Sequence, residues 1–194
     1  MNSKARGKDA MFTESSGKIA ATACMITGLR FSPQSHEELK DAVTKCLRLS
    51  FIGDCSTGLH GSIGDWDVSA VTHMKKIFSF AYGFNTDISK WNVSVVTDMS
   101  AMFYNANAFN ADISKWDVSA VTDTSWMFYF AEPFSSDISK WDVSAVTNMA
   151  GMFCNAKVFN ADISKWDVSA VIDMTNMFIR SSSFNKVLRT RLSE

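Results

Sequence analysis

Residues 112–122 read DISKWDVSAVT. The same run opens again at Asp137, at Asp162 with Ile172 as its last residue, and at Asp87 as DISKWNVSVVT. A looser copy, SIGDWDVSAVT, opens at Ser62. The tryptophans set the period: Trp66, Trp91, Trp116, Trp141 and Trp166 are each 25 residues apart. The whole unit recurs with them, as in DISKWNVSVVTDMSAMFYNANAFNA from Asp87 to Ala111. A fixed period in this range marks a solenoid, in which each unit packs on its neighbours.

Two elements are predicted within each unit. Met99, Met102, Phe103 and Ala106 follow i, i+3, i+4, i+7, the spacing of one apolar helical face. Asp98 is placed to cap that short helix, with Asp123, Asn148 and Asp173 in the same role. A short strand is predicted over 110–114, with Ile88, Ile113, Ile138 and Ile163 as one inward ladder. The equivalents of Val118 and Val121 make two more, and strands of successive coils would be parallel and ~4.8 Å apart. The expected fold is α/β, a parallel solenoid with an N-terminal helical cap.

The cap is read from Ser35-His36-Glu37-Glu38, a capping box that opens a helix. Leu39, Val43, Cys46 and Leu47 then fall on one face, suited to covering the first unit. The expected organisation is a mobile leader over 1–32, a cap helix and loop over 33–61, five repeats over 62–185, and a basic tail or cap over 186–194.

Composition narrows the function. The chain has 194 residues, a net charge of -1 and 46% hydrophobic residues, which supports a packed core and gives no electrostatic case for nucleic acid. No apolar run approaches a bilayer-spanning length. The segment Lys18–Ile26 is short and follows Glu14 where a signal peptide is basic, so no cleaved signal is expected. The four cysteines, Cys24, Cys46, Cys55 and Cys154, lack zinc-site spacing. Cys46 and Cys55 flank a short loop and could pair if the protein is secreted. Cys154 stands where other units carry Tyr104 and Tyr129, as a small apolar filler.

No active site is expected. The histidines, His36, His60 and His73, are scattered, and no nucleophile elbow, phosphate loop or HExxH occurs. Asp87, Asp112, Asp137 and Asp162 form a row, as do Asp67, Asp117, Asp142 and Asp167. Calcium between coils is one reading of these rows. Neutralisation by Lys90, Lys115, Lys140 and Lys165, with bonds to turn amides, is the preferred one. A hydroxyl row, Thr72, Thr97, Thr122 and Thr147 beside serines, hints at ice binding, but Ile172 breaks it and such side chains commonly bond turn backbone. The tryptophan row is assigned to the core. No metal or other cofactor is expected.

Positions where the units differ say more. Ala101 and Gly151 align with Trp126, and Asn105 and Asn155 align with Phe130. Large aromatics off the inward face mark a contact. Trp126, Tyr129 and Phe130 are therefore the candidate partner-binding residues.

The ordered recurrence of a Trp, a Val-Thr pair, a Met-Phe pair and a Phe-Asn pair, with occasional replacements, covers about residues 62–185. It resembles the bacterial surface protein repeat of the BspA-like leucine-rich-repeat class, a family of unknown function described from mycoplasmal lipoproteins and found in algal proteins. The run ELKDAVTKCLRLSFIGDCSTGLHGSIGDWDVS over 38–69 looks like the leader often found before such repeats. The resemblance implies a leucine-rich-repeat-like solenoid, often at the cell surface or secreted, used in adhesion or recognition. It transfers no catalytic residue. The expected function is thus a non-enzymatic binding module for a protein or glycan partner. The alternatives are a structural or spacer subunit of an assembly, or a calcium- or ice-binding solenoid.

Overall fold

The computed structural model describes residues 30–184. The leader (save Arg30–Ser32), the Lys18–Ile26 segment, Cys24 and the tail over 186–194 lie outside the described residues.

Helix α1 (His36–Leu49) begins as its sequence directs. The Ser35 hydroxyl accepts from the Glu38 N–H at 3.2 Å, and the Glu38 carboxylate accepts from the Gln34 N–H at 2.8 Å. Two orphan donors of the first turn are thereby satisfied. Leu39, Ala42, Val43 and Cys46 are buried. Cys46 is joined to Cys55 by a disulfide with a Cα–Cα distance of 5.6 Å, which ties the helix end to the following loop.

The expected α/β, leucine-rich-repeat-like parallel solenoid is overturned. Beyond α1 the described residues contain only a single-turn 3-10 helix, Ile63–Asp65. No unit contributes an α-helix or a strand, and β-pairing is reduced to isolated parallel bridges from His73 to Asp98, Asp123, Asn148 and Asp173 in succession. The units are built of consecutive tight turns.

The reason lies in where the N–H groups go. In an α-helix each N–H returns to the residue four before it. Here Met99, Ala101, Phe103 and Asn105 donate instead to Asp123, Ser125, Met127 and Tyr129 of the next unit, at 2.7–2.9 Å. The intervening Met102, Tyr104 and Ala106 donate three residues back, to Met99, Ala101 and Phe103. Such alternation requires left-handed backbone twice per unit, at Lys76 and Phe80, Ala101 and Asn105, Trp126 and Phe130, Gly151 and Asn155, Asn176 and Arg180. A helix cannot contain those angles. Asp98 and its equivalents are accordingly not helix caps. Asp98 Oδ1 accepts from the Ser100 N–H at 2.8 Å, closing a turn at the bridge position.

Turns at i, i+3 spacing bury the same residues a helix would have buried. Met99, Met102, Phe103 and Ala106 are fully enclosed. The predicted strand over 110–114 is absent, yet Ile88, Ile113, Ile138 and Ile163 are fully buried, with Val93, Val96, Val118, Val121, Val143 and Val146 beside them. Two columns of phenylalanine run through the units. Within a unit the pair stacks closely, as for Phe103 and Phe109 with centroids 3.7 Å apart. Between units Phe103 meets Phe128 at 5.6 Å and Phe109 meets Phe134 at 6.0 Å. Such near-parallel contacts add to the burial of large apolar rings.

The tryptophan row is both core and link. Trp91, Trp116, Trp141 and Trp166 are buried, and each indole Nε1 donates to the isoleucine carbonyl of the preceding unit: Ile63, Ile88, Ile113 and Ile138, at 3.0–3.2 Å. Trp66 has no earlier unit and donates to the His60 carbonyl at 2.9 Å.

Helix α1 closes the first unit by the same logic. Carbonyls that would accept from an earlier layer are served by its side chains. His36 Nδ1 lies 3.0 Å from the His73 carbonyl, and Lys40 Nζ donates to that of Ile77 at 3.0 Å; Lys40 Nζ also donates to the Lys76 carbonyl, which accepts from Ser79 within its own unit. Burial, and then the neighbouring Lys76, lower the Lys40 pKa.

Candidate functional site

The outward faces of the layers decide what the molecule can touch. The Asp rows lie on one of them, and their carboxyls serve turns. Asp87, Asp112, Asp137 and Asp162 each accept the N–H of the serine two residues on, at 2.9–3.0 Å. Asp67, Asp117, Asp142 and Asp167 do the same at 3.0–3.1 Å, and Asn92 replaces the carboxylate in its unit without loss of the bond. The serine hydroxyl, and then its N–H, hold each carboxyl below its ordinary value, with lysine a lesser influence at Asp87 and Asp112 and none at Asp117. Among the described residues the ion pairs are Lys45–Asp41 and Lys157–Glu132; Lys90, Lys115, Lys140 and Lys165 make no ion pair with the Asp rows and act on Asp87, Asp112, Asp137 and Asp162 only as a lesser, longer-range influence. The threonine row is also structural: Thr122 Oγ1 and Thr147 Oγ1 each donate to the threonine carbonyl one unit back, at 3.1 Å. Cys154 is buried, and burial raises its pKa.

A second outward face carries aromatics. Its geometry follows from the left-handed pairs. The first position of each pair forms a column of Lys76, Ala101, Trp126 and Gly151, and the second a column of Phe80, Asn105, Phe130 and Asn155. Between them run Ser79, Tyr104, Tyr129 and Cys154. Glycine and asparagine suit left-handed backbone, whereas a bulky side chain costs roughly 1–2 kcal/mol there. The third unit nevertheless places Trp126 (φ 58°) and Phe130 (φ 56°) in both positions. Phe80, at φ 61°, repeats the pattern in the first unit.

Trp126 is 36% exposed, while Tyr129 and Phe130 are half-buried. The three do come together: Tyr129 meets Trp126 edge-on at 5.3 Å and Phe130 edge-on at 4.7 Å, and stacks on Tyr104 at 4.5 Å. Gly151 is what makes room for the indole, since a Cβ there would run into the Trp126 ring. The core tryptophans all spend their indole N–H on carbonyls; that of Trp126 has no partner among the described residues.

Small Ala101 stands between Trp126 and Lys76, one unit from each, and opens a groove of about 550 Å3. Tyr104 and Phe80 form its side, with Ser79 and Tyr129 at the margins. Phe80 is 55% exposed and contacts Tyr104 at 5.4 Å. Burial, and then Tyr129, raise the Tyr104 pKa, so its phenol stays protonated across the neutral range. Lys76, Phe80 and Tyr104 were not among the residues expected to bind. Alignment at the 25-residue period was the available signal, because Lys76 and Phe80 share columns with Trp126 and Phe130.

Nothing in the groove resembles a reactive pair. Among the described residues, no three His, Cys, Asp or Glu side chains converge as metal ligands, and no helix is long and apolar enough to cross a membrane.

Stacked 25-residue layers with one aromatic outer groove define a repeat protein. A family model described as "Mycoplasma protein of unknown function, DUF285" matches residues 43–137 and again 111–191. The chain belongs to this family. No curated protein and no solved structure matches it.

Proposed function

We propose that this protein is a non-enzymatic binding module that recognises a protein or glycan through the groove between Lys76 and Trp126. One observation carries the reading. Trp126 and Phe130 occupy strained left-handed positions where Gly151, Asn105 and Asn155 serve other units at less cost. Backbone strain of that kind persists where it is offset by function. An aromatic patch on an outer face, with an unpartnered indole N–H, is the composition of a contact surface.

The resemblance to BspA-like surface repeats supports a place outside the cell. So does the Cys46–Cys55 disulfide, a bond that persists in oxidising compartments.

The test titrates wild-type protein and Trp126→Ala against separated protein and glycan fractions of a cell-surface extract. Loss of about 2 kcal/mol, roughly 30-fold in affinity, is expected for the variant if Trp126 anchors the contact. Absence of any Trp126-dependent binding would defeat the proposal and favour a spacer subunit.

A further inference from the structure

We propose that the groove binds the uronic acid residue of an acidic glycan, with a pyranose face against Trp126 and its carboxylate at Lys76. This rests on the binding-module reading above and names its ligand class.

The main chain argues against a peptide strand. The N–H groups of Lys76, Phe80, Ala101 and Trp126 are already bonded to Ser100, Tyr104, Ser125 and Ala150 of the following layers. An added strand needs free edge groups, and those four N–H groups are spent. Recognition is left to side chains. These are the indole ring and N–H of Trp126, the phenol of Tyr104, and the ammonium of Lys76.

Those groups are arranged across a short span. Lys76 and Trp126 are two layers apart, about 10 Å at the spacing of neighbouring parallel chains. Ala101 leaves the space between them open. An apolar ring face at one end, hydroxyl partners at the side and a single cation at the other match a sugar ring carrying one carboxylate. The volume of about 550 Å3 falls within the range of small-ligand sites, about 300–1,000 Å3. The charge at the Lys76 end is reinforced. Lys40 is held against the Lys76 carbonyl, and neither lysine is in an ion pair among the described residues. A carboxylate arriving there relieves the repulsion between two cations.

The experiment titrates the full chain with tetrasaccharides of galacturonate, guluronate, mannuronate and glucuronate, each beside its neutral methyl ester, and with one sulfated tetrasaccharide. Indole fluorescence and calorimetry report binding. At least one uronate is expected to bind, with its ester at least tenfold weaker. Lys76→Gln should weaken the acid at least tenfold and leave the ester unchanged. Ala101→Leu, which fills the groove while keeping both anchor residues, should abolish binding, and Lys115→Gln should change nothing. Thermal unfolding of every variant confirms that the fold is retained.

Equal binding of acid and ester, or preference for the sulfated probe, overturns the carboxylate assignment. If no uronate binds while a surface fraction is still retained through Trp126, the ligand class is wrong and the binding-module reading survives. If nothing is retained through Trp126, both fall.

Discussion

Two tryptophans in the third unit offer a matched comparison of core and surface. Trp116 is 4% exposed, and its Nε1 donates to the Ile88 carbonyl at 3.2 Å. Trp116→Phe keeps an aromatic ring but removes the donor. The Ile88 carbonyl keeps the Trp91 N–H at 3.1 Å and loses its second donor, which costs about 0.5–1.5 kcal/mol. The lost ring contacts add about 1–2 kcal/mol. Together the substitution should destabilise by about 1.5–3.5 kcal/mol. Trp126→Phe removes an N–H that has no partner among the described residues and trims a ring that is 36% exposed, so its cost should stay below about 0.5 kcal/mol. Urea unfolding followed by far-UV circular dichroism gives both values on the same chain. Comparable losses for the two variants, or a Trp116→Phe protein as stable as wild type, would refute the account of the tryptophan row as a hydrogen-bonded link between layers.

Acid should unfold the protein through its turns. Each row Asp has a carboxyl pKa below its unfolded value, so the folded state binds fewer protons there; that stability is complete above about pH 4 and lost as pH falls through the depressed folded values. A melting temperature flat from neutral to pH 5 and falling below pH 4 is expected, and Asp117→Asn, which copies Asn92, should flatten that fall. Chelation should leave the melting temperature unchanged, because these carboxyls face turn amides; a drop of many degrees on adding EDTA would make the rows metal sites. Reduction of Cys46–Cys55, which closes a loop with a sequence separation of 9, should cost about 2–3 kcal/mol by loop-closure entropy, read as a shift in urea midpoint with and without reductant. Lys40→Met should cost about 1–3 kcal/mol, since the Ile77 and Lys76 carbonyls lose a donor, and an unchanged unfolding curve would remove the helix from its capping role.

Depth was legible in the sequence, and local conformation was not. Identical residues at a 25-residue period share the same environment, so the burial of Ile113, Val118, Val121 and Trp116 followed from repetition alone. The Ser35–Glu38 box likewise signalled α1 through short-range chemistry. Met99, Met102, Phe103 and Ala106 misled because a helix and a run of tight turns both place side chains inward at three- and four-residue intervals. What separates the two is whether an N–H finds its acceptor four residues back or in the following unit, and that is a long-range fact. Asn105, Gly151 and Asn155 were the local hint of left-handed backbone. Trp126, Phe130, Lys76 and Phe80 at equivalent positions obscured it. The groove was half legible for the same reason: the odd aromatics of the third unit stood out, while Lys76 and Phe80 had to be brought beside them by stacking.

The paired left-handed residues make each layer a carrier of two sockets. Lys76, Phe80, Trp126, Asn176 and Arg180 show that the sockets take a cation, an amide or a large ring, and all five side chains are exposed. The inward Met, Phe, Ile and Val columns are untouched by that choice. Exchanging side chains at the sockets rewrites the surface as a two-column strip, one layer at a time, on a constant interior. Asparagine leaves a socket blank at little conformational cost, so diversification toward a new ligand can begin from exposed Asn176 without first rebuilding the fold, whereas the space over Gly151 is already filled by the Trp126 ring.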